Sequence, residues 1–362
     1  MTGRVLLYGA TGFSGGAIAR RLRDQGRTPI VAGRDGGRIR AVAESLNAPW
    51  RGFDLADRPA LDAALADVSL VLHAAGPFVQ TAPPMIDACI RGGAHYLDIA
   101  GEWPVFALAQ QRSGDAVAAG VMLMPGAAFS IVVSDCLMAR AVRRIPDVVA
   151  LRIAGSSPAA VTRASLRSAI NLTDADVIVR RHGSVERTPA GELSRGFNFG
   201  AGERISVAVS GPDVITGEQT TGIQNIETYI EAPLASRLAL RAGGLASAVY
   251  GPAITRGALR SLSRWWPEPA PEQDAAVWRN AVVVETVDRW RRTSRLGLRT
   301  IDSYEVTTRA AAAIAHRVAG GDHSPGFQTP AGLFGPEFVL DLGGVSPFDA
   351  SALADPGAPA AW

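Results

Sequence analysis

The chain of 362 residues contains no lysine, so all 36 positions counted as Lys or Arg are arginine. A GC-rich coding sequence is the simplest cause. The absence still removes chemistry: no lysine Schiff base can form, and no Tyr-x-x-x-Lys acid/base pair exists. Cysteine is almost missing. Cys89 and Cys136 each sit in an apolar, helix-like run, where a free thiol behaves as a small hydrophobe. Neither a disulfide framework nor a zinc spacing is present, and no bound metal is expected. Neither charge sign dominates. The net charge of +2 gives nucleic acid no electrostatic foothold. No uninterrupted apolar run approaches the ~20 residues of a membrane span. The first residues run straight into a strand, without a basic leader and cleavage site. A cytoplasmic location is therefore expected. One stretch lacks acids altogether. Between Glu231 and Glu268 there is none, while Arg237, Arg241, Arg256, Arg260 and Arg264 all fall within it. Such a run is usually a solvated face; an acyl carrier or a membrane surface is the functional alternative.

The length suits two domains of roughly 100–200 residues each. Strand and helix signals alternate through the first third. Strands are expected at Arg4–Tyr8, Thr28–Ala32, Trp50–Asp54, Val68–Ala74, Tyr96–Ile99 and Val121–Met124. Helices are expected at Gly16–Gln25, Asp35–Leu46, Pro59–Ala66, Ala82–Arg91 and Val105–Ala119. That rhythm means parallel βαβ units. The texture changes after Gly126. A helix over Ser134–Arg144 precedes runs richer in β-branched residues: Val148–Ala154, Asp176–Arg181, Arg204–Val209, Asn225–Ile230 and Ala281–Asp288. An Ala-rich helix follows over Ser303–Val318, and a Pro/Ala/Asp-rich tail from Ser346 is expected to fray. The fold class is α/β: an N-terminal Rossmann domain with a doubly wound parallel sheet, plus a second α/β substrate domain with a mixed or antiparallel sheet. The expected division is 1–128, 129–300, and a segment 301–362 that returns to the first domain.

Gly9, Ala10, Thr11, Gly12, Phe13, Ser14 and Gly15 form a G-x-x-G-x-x-G loop between a strand and a helix, the setting a dinucleotide-binding motif requires. Glycine lets the backbone turn tightly and approach a pyrophosphate, while the helix N-terminus offers unpaired N–H groups to that anion. The second strand ends at Gly33 and Arg34. An acid near there suits the ribose hydroxyls of NAD, and arginine suits the 2′-phosphate of NADP. Arg34, with Arg38 as a second contact, favours NADP(H); Asp35 is the opposing signal. Ala75, Gly76, Pro77 and Phe78 close the fourth strand at its carboxyl end, where ligands of open α/β sheets lie. His73 beside them is read as a packed core histidine.

Together YGATGFSG, VAGRD, LHAAGPF, a Met-x-x-Ala-Cys run and HYLDIAGE resemble the saccharopine dehydrogenase-like oxidoreductases. The likeness is nearest to an actinobacterial branch related to the trans-acting enoyl reductases. TGIQNIETY (Thr221–Tyr229) and PGFQTPAGLFGPEFVLDL (Pro325–Leu342) resemble later blocks of that family. The resemblance implies an NADP-binding domain and a substrate domain without specifying a substrate. Two blocks depart from the family. Its Gly-Phe-Asp, two apolar residues, then Pro-Ser-Asp stands here as Ala128–Asp135, and its Ser-Arg-Gly-Thr as Thr162–Ser165.

Tyr96, Asp98 and Glu102 lie on or after the fifth strand. Alternation sends Tyr96 and Asp98 to one face, and Asp98 and Glu102 are the best-placed carboxylates for proton transfer. Helix capping is the competing role. Ser134 is expected to be an N-cap. Ser130 in the altered block, with Asn225 and Tyr229, are the candidate substrate contacts; Asn225, Glu227 and Tyr229 alternate along one strand. The expected activity is NADPH-dependent reduction of a C=C, C=N or C=O bond in an apolar biosynthetic small molecule, free or carrier-bound. The alternatives are redox-neutral cyclisation or isomerisation, and an NADP sensor without turnover. Homo-oligomerisation stays open.

Overall fold

Residues 3–124 lay down six short strands joined by helices. The computed structural model describes residues 3–156, 176–232, 257, 261 and 278–351. In chain order these are β1 (Val5–Tyr8), α1 (Phe13–Asp24), β2 (Ile30–Gly33), α2 (Gly36–Leu46), β3 (Trp50–Gly52), α3 (Arg58–Leu65), β4 (Leu70–His73), α4 (Phe78–Gly92), β5 (His95–Asp98), α5 (Trp103–Gln111), α6 (Ser113–Ala118) and β6 (Met122–Met124). Strands β1, β2 and β4 are buried along their whole length. That is the pattern of a parallel sheet covered on both faces. Asp35 and Asp57 cap α2 and α3 by accepting the backbone N–H of Arg38 and Ala60. The stretch Val105–Ala119, expected as one helix, is two. Arg112 ends α5 and begins α6, and Gly114 in the next turn lowers helix propensity there.

Two compact units divide the chain. One comprises residues 1–132 and 303–343, the other 133–302 and 344–362. The first unit completes its sheet with a late segment. After α9 (Ser303–Ala319) comes β15 (Gly326–Phe327), which pairs in parallel with β6. The order is β15-β6-β5-β4-β1-β2-β3, a doubly wound arrangement with a seventh strand. A two-residue strand leaves almost no pattern in the sequence, which is why only six were expected. Helix α9 buries Val306, Ala310, Ile314 and Val318 and packs against α1. Short helices α10 (Pro330–Phe334) and α11 (Phe338–Asp341) follow.

The second unit contains most of α7 (Phe129–Arg144), then β7 (Val148–Ser156), β8 (Asp176–Arg181), β9 (Ser184–Pro189), β10 (Ser194–Asn198), β11 (Glu203–Ala208), α8 (Asp213–Thr221), β12 (Ile226–Glu231), β13 (Asn280–Asp288), β14 (Thr293–Thr300) and β16 (Val345–Phe348). Its order is β10-β11-β12-β7-β13-β14-β16, with β8 joining β12 to β9. Only β7 and β12 run parallel among these pairs, so the sheet is mixed. One face buries Ala154, Phe197, Phe199, Tyr229, Val283 and Ala350.

Two expectations need correction. Helix α7 starts at Phe129, not Ser134, so Ser134 lies inside it and is buried rather than capping it. The tail does not fray at once after Ser346. Val345–Phe348 pairs with β14. Phe348 seats over Gly297, where any Cβ would strike its ring, and Arg299 stacks 5.0 Å from that ring.

Candidate functional site

The glycine loop leaves β1 and enters α1 with its backbone pinned from both sides. Gly9 donates to the Ala32 carbonyl at 2.8 Å, and Gly12 donates to the Gly9 carbonyl at 3.0 Å. Gly9 has φ +96°, and a Cβ there would stand 2.7 Å from the Ala74 carbonyl carbon. Only glycine meets both demands. A Cβ on Gly15 would collide with the Gly9 carbonyl oxygen. Gly12 occupies the N-cap of α1 without a side-chain cap, and the first turn carries no acid. The first N–H groups of a helix have no partner within it, so Phe13, Ser14 and Gly15 present backbone donors at the head of α1, the kind of end that suits an anion. Thr11 and Ser14 are half-buried on this loop. Phe13 is 78% exposed and meets Tyr304 edge-on at 5.2 Å.

At the end of β2 the structure separates the two competing signals. Asp35 is engaged as the α2 cap, its Oδ1 accepting from the Arg38 N–H at 3.0 Å. Arg34 is exposed, and among the described residues no carboxylate pairs with its guanidinium or with that of Arg38. Beyond β3 a cavity of about 500 Å³ opens between α3 and α4, lined among others by Asp54, Leu55, Gln80 and Thr81. These residues were missed in the sequence. The signal available was Asp54-Leu55 directly after a strand, which by itself is weak.

Strand β4 ends at His73, and Ala75, Gly76, Pro77 and Phe78 carry the chain into α4. Gly76 and Pro77 are exposed, whereas Ala75 and Phe78 are half-buried. His73 is fully buried. Its Nε2 lies 2.9 Å from the Thr81 hydroxyl, which donates to the Ala75 carbonyl at 2.7 Å. Burial pushes the imidazole down to about 3, so it stays neutral and packs between Tyr8 and Phe78.

Tyr96 and Asp98 do share a face, but it is an interior one. Tyr96 donates its hydroxyl to Asp98 Oδ2 at 2.7 Å, while the N–H groups of Ala100 and Gly126 reach Oδ1 at 2.9 and 2.8 Å. Asp98 thus ties the end of β5 to the chain leaving β6. Burial raises its carboxyl to about 6, against the opposing pull of those three donors. Burial also drives the Tyr96 phenol upward. Glu102 differs. It is half-buried at the N-cap of α5 and accepts from Gly101 N at 3.0 Å and Phe78 N at 3.4 Å. Ser130 is exposed, its hydroxyl within 3.9 Å of where a Gly101 side chain would begin. Glu102, Phe78, Gly101 and Ser130 therefore gather at one place in the first unit.

In the second unit, Asn225 precedes β12 and fastens backbone. Its carbonyl oxygen accepts from His182 N and its amide donates to Val149 O, both at 3.0 Å. Tyr229 is buried in the sheet core, with its hydroxyl donating to Glu227 at 2.7 Å. Asp135 accepts from the Thr220 hydroxyl at 2.5 Å, and Ser134 hydrogen-bonds Asp213. The block Thr162–Ser165 and the arginine run Leu234–Arg264 lie outside the described residues.

Comparison with known proteins follows this division. Residues 5–124 match the family model described as Saccharopine dehydrogenase NADP binding domain. The trans-acting enoyl reductase of Mycobacterium bovis is 38% identical over 105 residues, 27% of this chain and 25% of that protein. Its Mycobacterium ulcerans counterpart is 34% identical over the same length. The chain thus matches about a quarter of the length of these relatives. Among solved structures, saccharopine dehydrogenase (L-Glu forming) from Saccharomyces cerevisiae superposes with a TM-score of 0.61 at 13% identity, over 96% of this chain and 100% of that one. Homospermidine synthase from Legionella pneumophila does so at 0.64 and 9% identity, over 99% and 94%. At such identities the likeness is one of fold. The likeness to the saccharopine dehydrogenase NADP binding domain thus rests on residues 5–124, which carry the glycine loop and the first six strands.

Proposed function

We propose that the chain is an NADPH-dependent reductase of a C=C, C=N or C=O bond in a small biosynthetic molecule. One observation carries the choice of cofactor: Asp35 is engaged as a helix cap, while Arg34 stands exposed at the end of β2. Arginine there suits a 2′-phosphate. In this reading Gly9, Thr11, Gly12, Phe13, Ser14 and Gly15 hold the pyrophosphate. Ala75, Gly76, Pro77 and Phe78 line the path toward the nicotinamide, and the cavity bounded by Asp54 and Gln80 takes the adenine. The bound cofactor supplies hydride. The protein supplies orientation and a proton route. Glu102 and Ser130 suit that route better than Asp98 and Tyr96, whose polar atoms are enclosed and paired. Asn225 and Tyr229 act on substrate through the backbone and the Glu227 carboxylate they hold. The name carried by the mycobacterial relatives favours C=C among the three bonds.

The test has two stages. NADPH and NADH are titrated against the protein by nucleotide fluorescence; NADPH is expected to bind at least about tenfold tighter, the scale of one charge-assisted hydrogen bond. Equal affinities would overturn the cofactor assignment. Rapid mixing with enoyl, imine and carbonyl compounds then follows nicotinamide absorbance. Loss of NADPH with reduced product supports the reductase. Turnover without net loss moves the assignment to redox-neutral chemistry, and tight binding without turnover moves it to a sensor.

A further inference from the structure

The inner face of the second sheet carries an unusual row of charges. Strand register places Glu227, Arg152, Glu285 and Arg295 side by side across β12, β7, β13 and β14. Glu285 has no exposed surface, yet three arginines converge on it. Arg152 and Arg195 both reach Oε1, at 2.9 and 2.7 Å, and Arg295 reaches Oε2 at 2.8 Å. These contacts hold the Glu285 carboxyl below its ordinary value despite burial. Glu227 receives Arg152 at 3.3 Å and Arg181 at 3.9 Å. Glu231, further along β12 on the same face, binds the Ser156 hydroxyl instead. Four arginines thus share two carboxylates, and with Glu231 counted the face keeps a local surplus of one positive charge among the described residues.

Two further observations show that the surplus is not satisfied from within. Arg195 Nε is buried without a hydrogen-bond partner, and so is the hydroxyl of Ser206, its cross-strand neighbour. A cavity of about 210 Å³ opens at the other end of the row, with Arg152, Arg181, His182 and Glu227 in its wall. That is several times the ~30 Å³ share of one water. Each of these arginines shares its carboxylate with at least one other, so part of the half-buried positive charge is uncompensated, which is costly; the planar arginine fork suits an oxyanion.

We propose that this face of the second sheet binds an oxyanion, a carboxylate or phosphate carried by the substrate, with Arg152 and Arg181 receiving it at the cavity. The assignment to substrate rests on the reductase reading; the affinity for an anion does not. Isothermal titration of the whole protein with succinate, and separately with inorganic phosphate, tests it against sodium chloride at equal ionic strength. Arg181→Gln is titrated in parallel, because Arg181 lies outside the buried trio around Glu285 and its loss leaves that trio intact. NADPH is titrated into every sample. One of the two anions is expected to bind saturably at one site, and Arg181→Gln to weaken it about tenfold with NADPH affinity unchanged. Succinate alone binding identifies a carboxylate, and phosphate alone a phosphate. No saturable binding of either anion above the chloride control, or equal binding by Arg181→Gln, overturns the site. Anion binding without NADPH binding leaves the site standing and removes the reductase, so the two failures are distinguishable.

Discussion

Arg34 and Asp35 are adjacent in sequence and opposite in what they ask of a nucleotide. In the fold Asp35 holds the backbone N–H of Arg38 as the α2 cap, and the proposed contact to the 2′-phosphate falls to Arg34. Arg34→Ala is therefore expected to weaken NADPH by about tenfold or more and NADH by much less, since one charge-assisted hydrogen bond is worth ~1.5–3 kcal/mol. Equal losses in fluorescence titrations would remove Arg34 from the 2′-phosphate. Asp98 makes a second residue-scale case, this time through pH. Its carboxyl rises from an ordinary 3.8 to about 6 because burial penalises the charge. Below the unfolded value both states are protonated and the contribution to stability is complete. As pH rises the unfolded chain ionises first, and the contribution is lost through about 6. About two pKa units correspond to roughly 3 kcal/mol. Asp98→Asn keeps an oxygen for the Ala100 and Gly126 N–H groups and offers its amide to the Tyr96 oxygen. Urea unfolding midpoints of this variant are expected to lack the wild-type decline across that window; an unchanged decline would place the titration elsewhere.

Elements here are decided by what they pair with as much as by propensity. Strand β16 is Val-Ser-Pro-Phe, a poor strand by composition, and it exists because Phe348 fits over the bare backbone of Gly297. Gly297→Val puts a branched side chain where that ring sits. It is expected to release β16 and cost ~1–3 kcal/mol, the range for overpacking. Hydrogen exchange of Val345 and Phe348 amides checks this, and retained protection would show that the strand does not depend on the ring. The same logic governs the glycine loop. Gly9, Gly12 and Gly15 advertise a nucleotide-binding turn in sequence, yet the requirement at Gly9 comes from the distant Ala74 carbonyl, which only the assembled sheet brings near.

At the scale of the whole molecule, the first unit is discontinuous. Residues 1–132 need α9 and β15 from residues 303–343 to cover α1 and extend the sheet. A fragment ending at residue 132 leaves uncovered the surface that Val306, Ile314, Val318 and Phe327 bury in the full chain. Such a fragment is expected to unfold without a sharp transition and to bind dye for exposed apolar surface. Appending 303–343 through a flexible linker is expected to restore cooperative unfolding. Calorimetry of the two polypeptides compares them, and a cooperative transition in the short fragment would refute the dependence.

The sequence by itself determined the alternating first domain, the glycine loop at its first strand–helix turn, and a second sheet rich in β-branched strands, which it left as mixed or antiparallel. These are written locally, in buried apolar runs, turn glycines and β-branched alternation. It also singled out Tyr96, Asp98 and Glu102 as candidates for proton transfer, but not which of them is sealed. That was decided by the approach of Gly126 from the end of β6, which encloses Asp98 and leaves Glu102 half-open. The seventh strand, the late start of β16 from an expected tail, and the convergence of Arg152, Arg195 and Arg295 on Glu285 all join residues far apart in the chain. No local pattern encodes such meetings, because they depend on strand order and register, which only the folded chain sets.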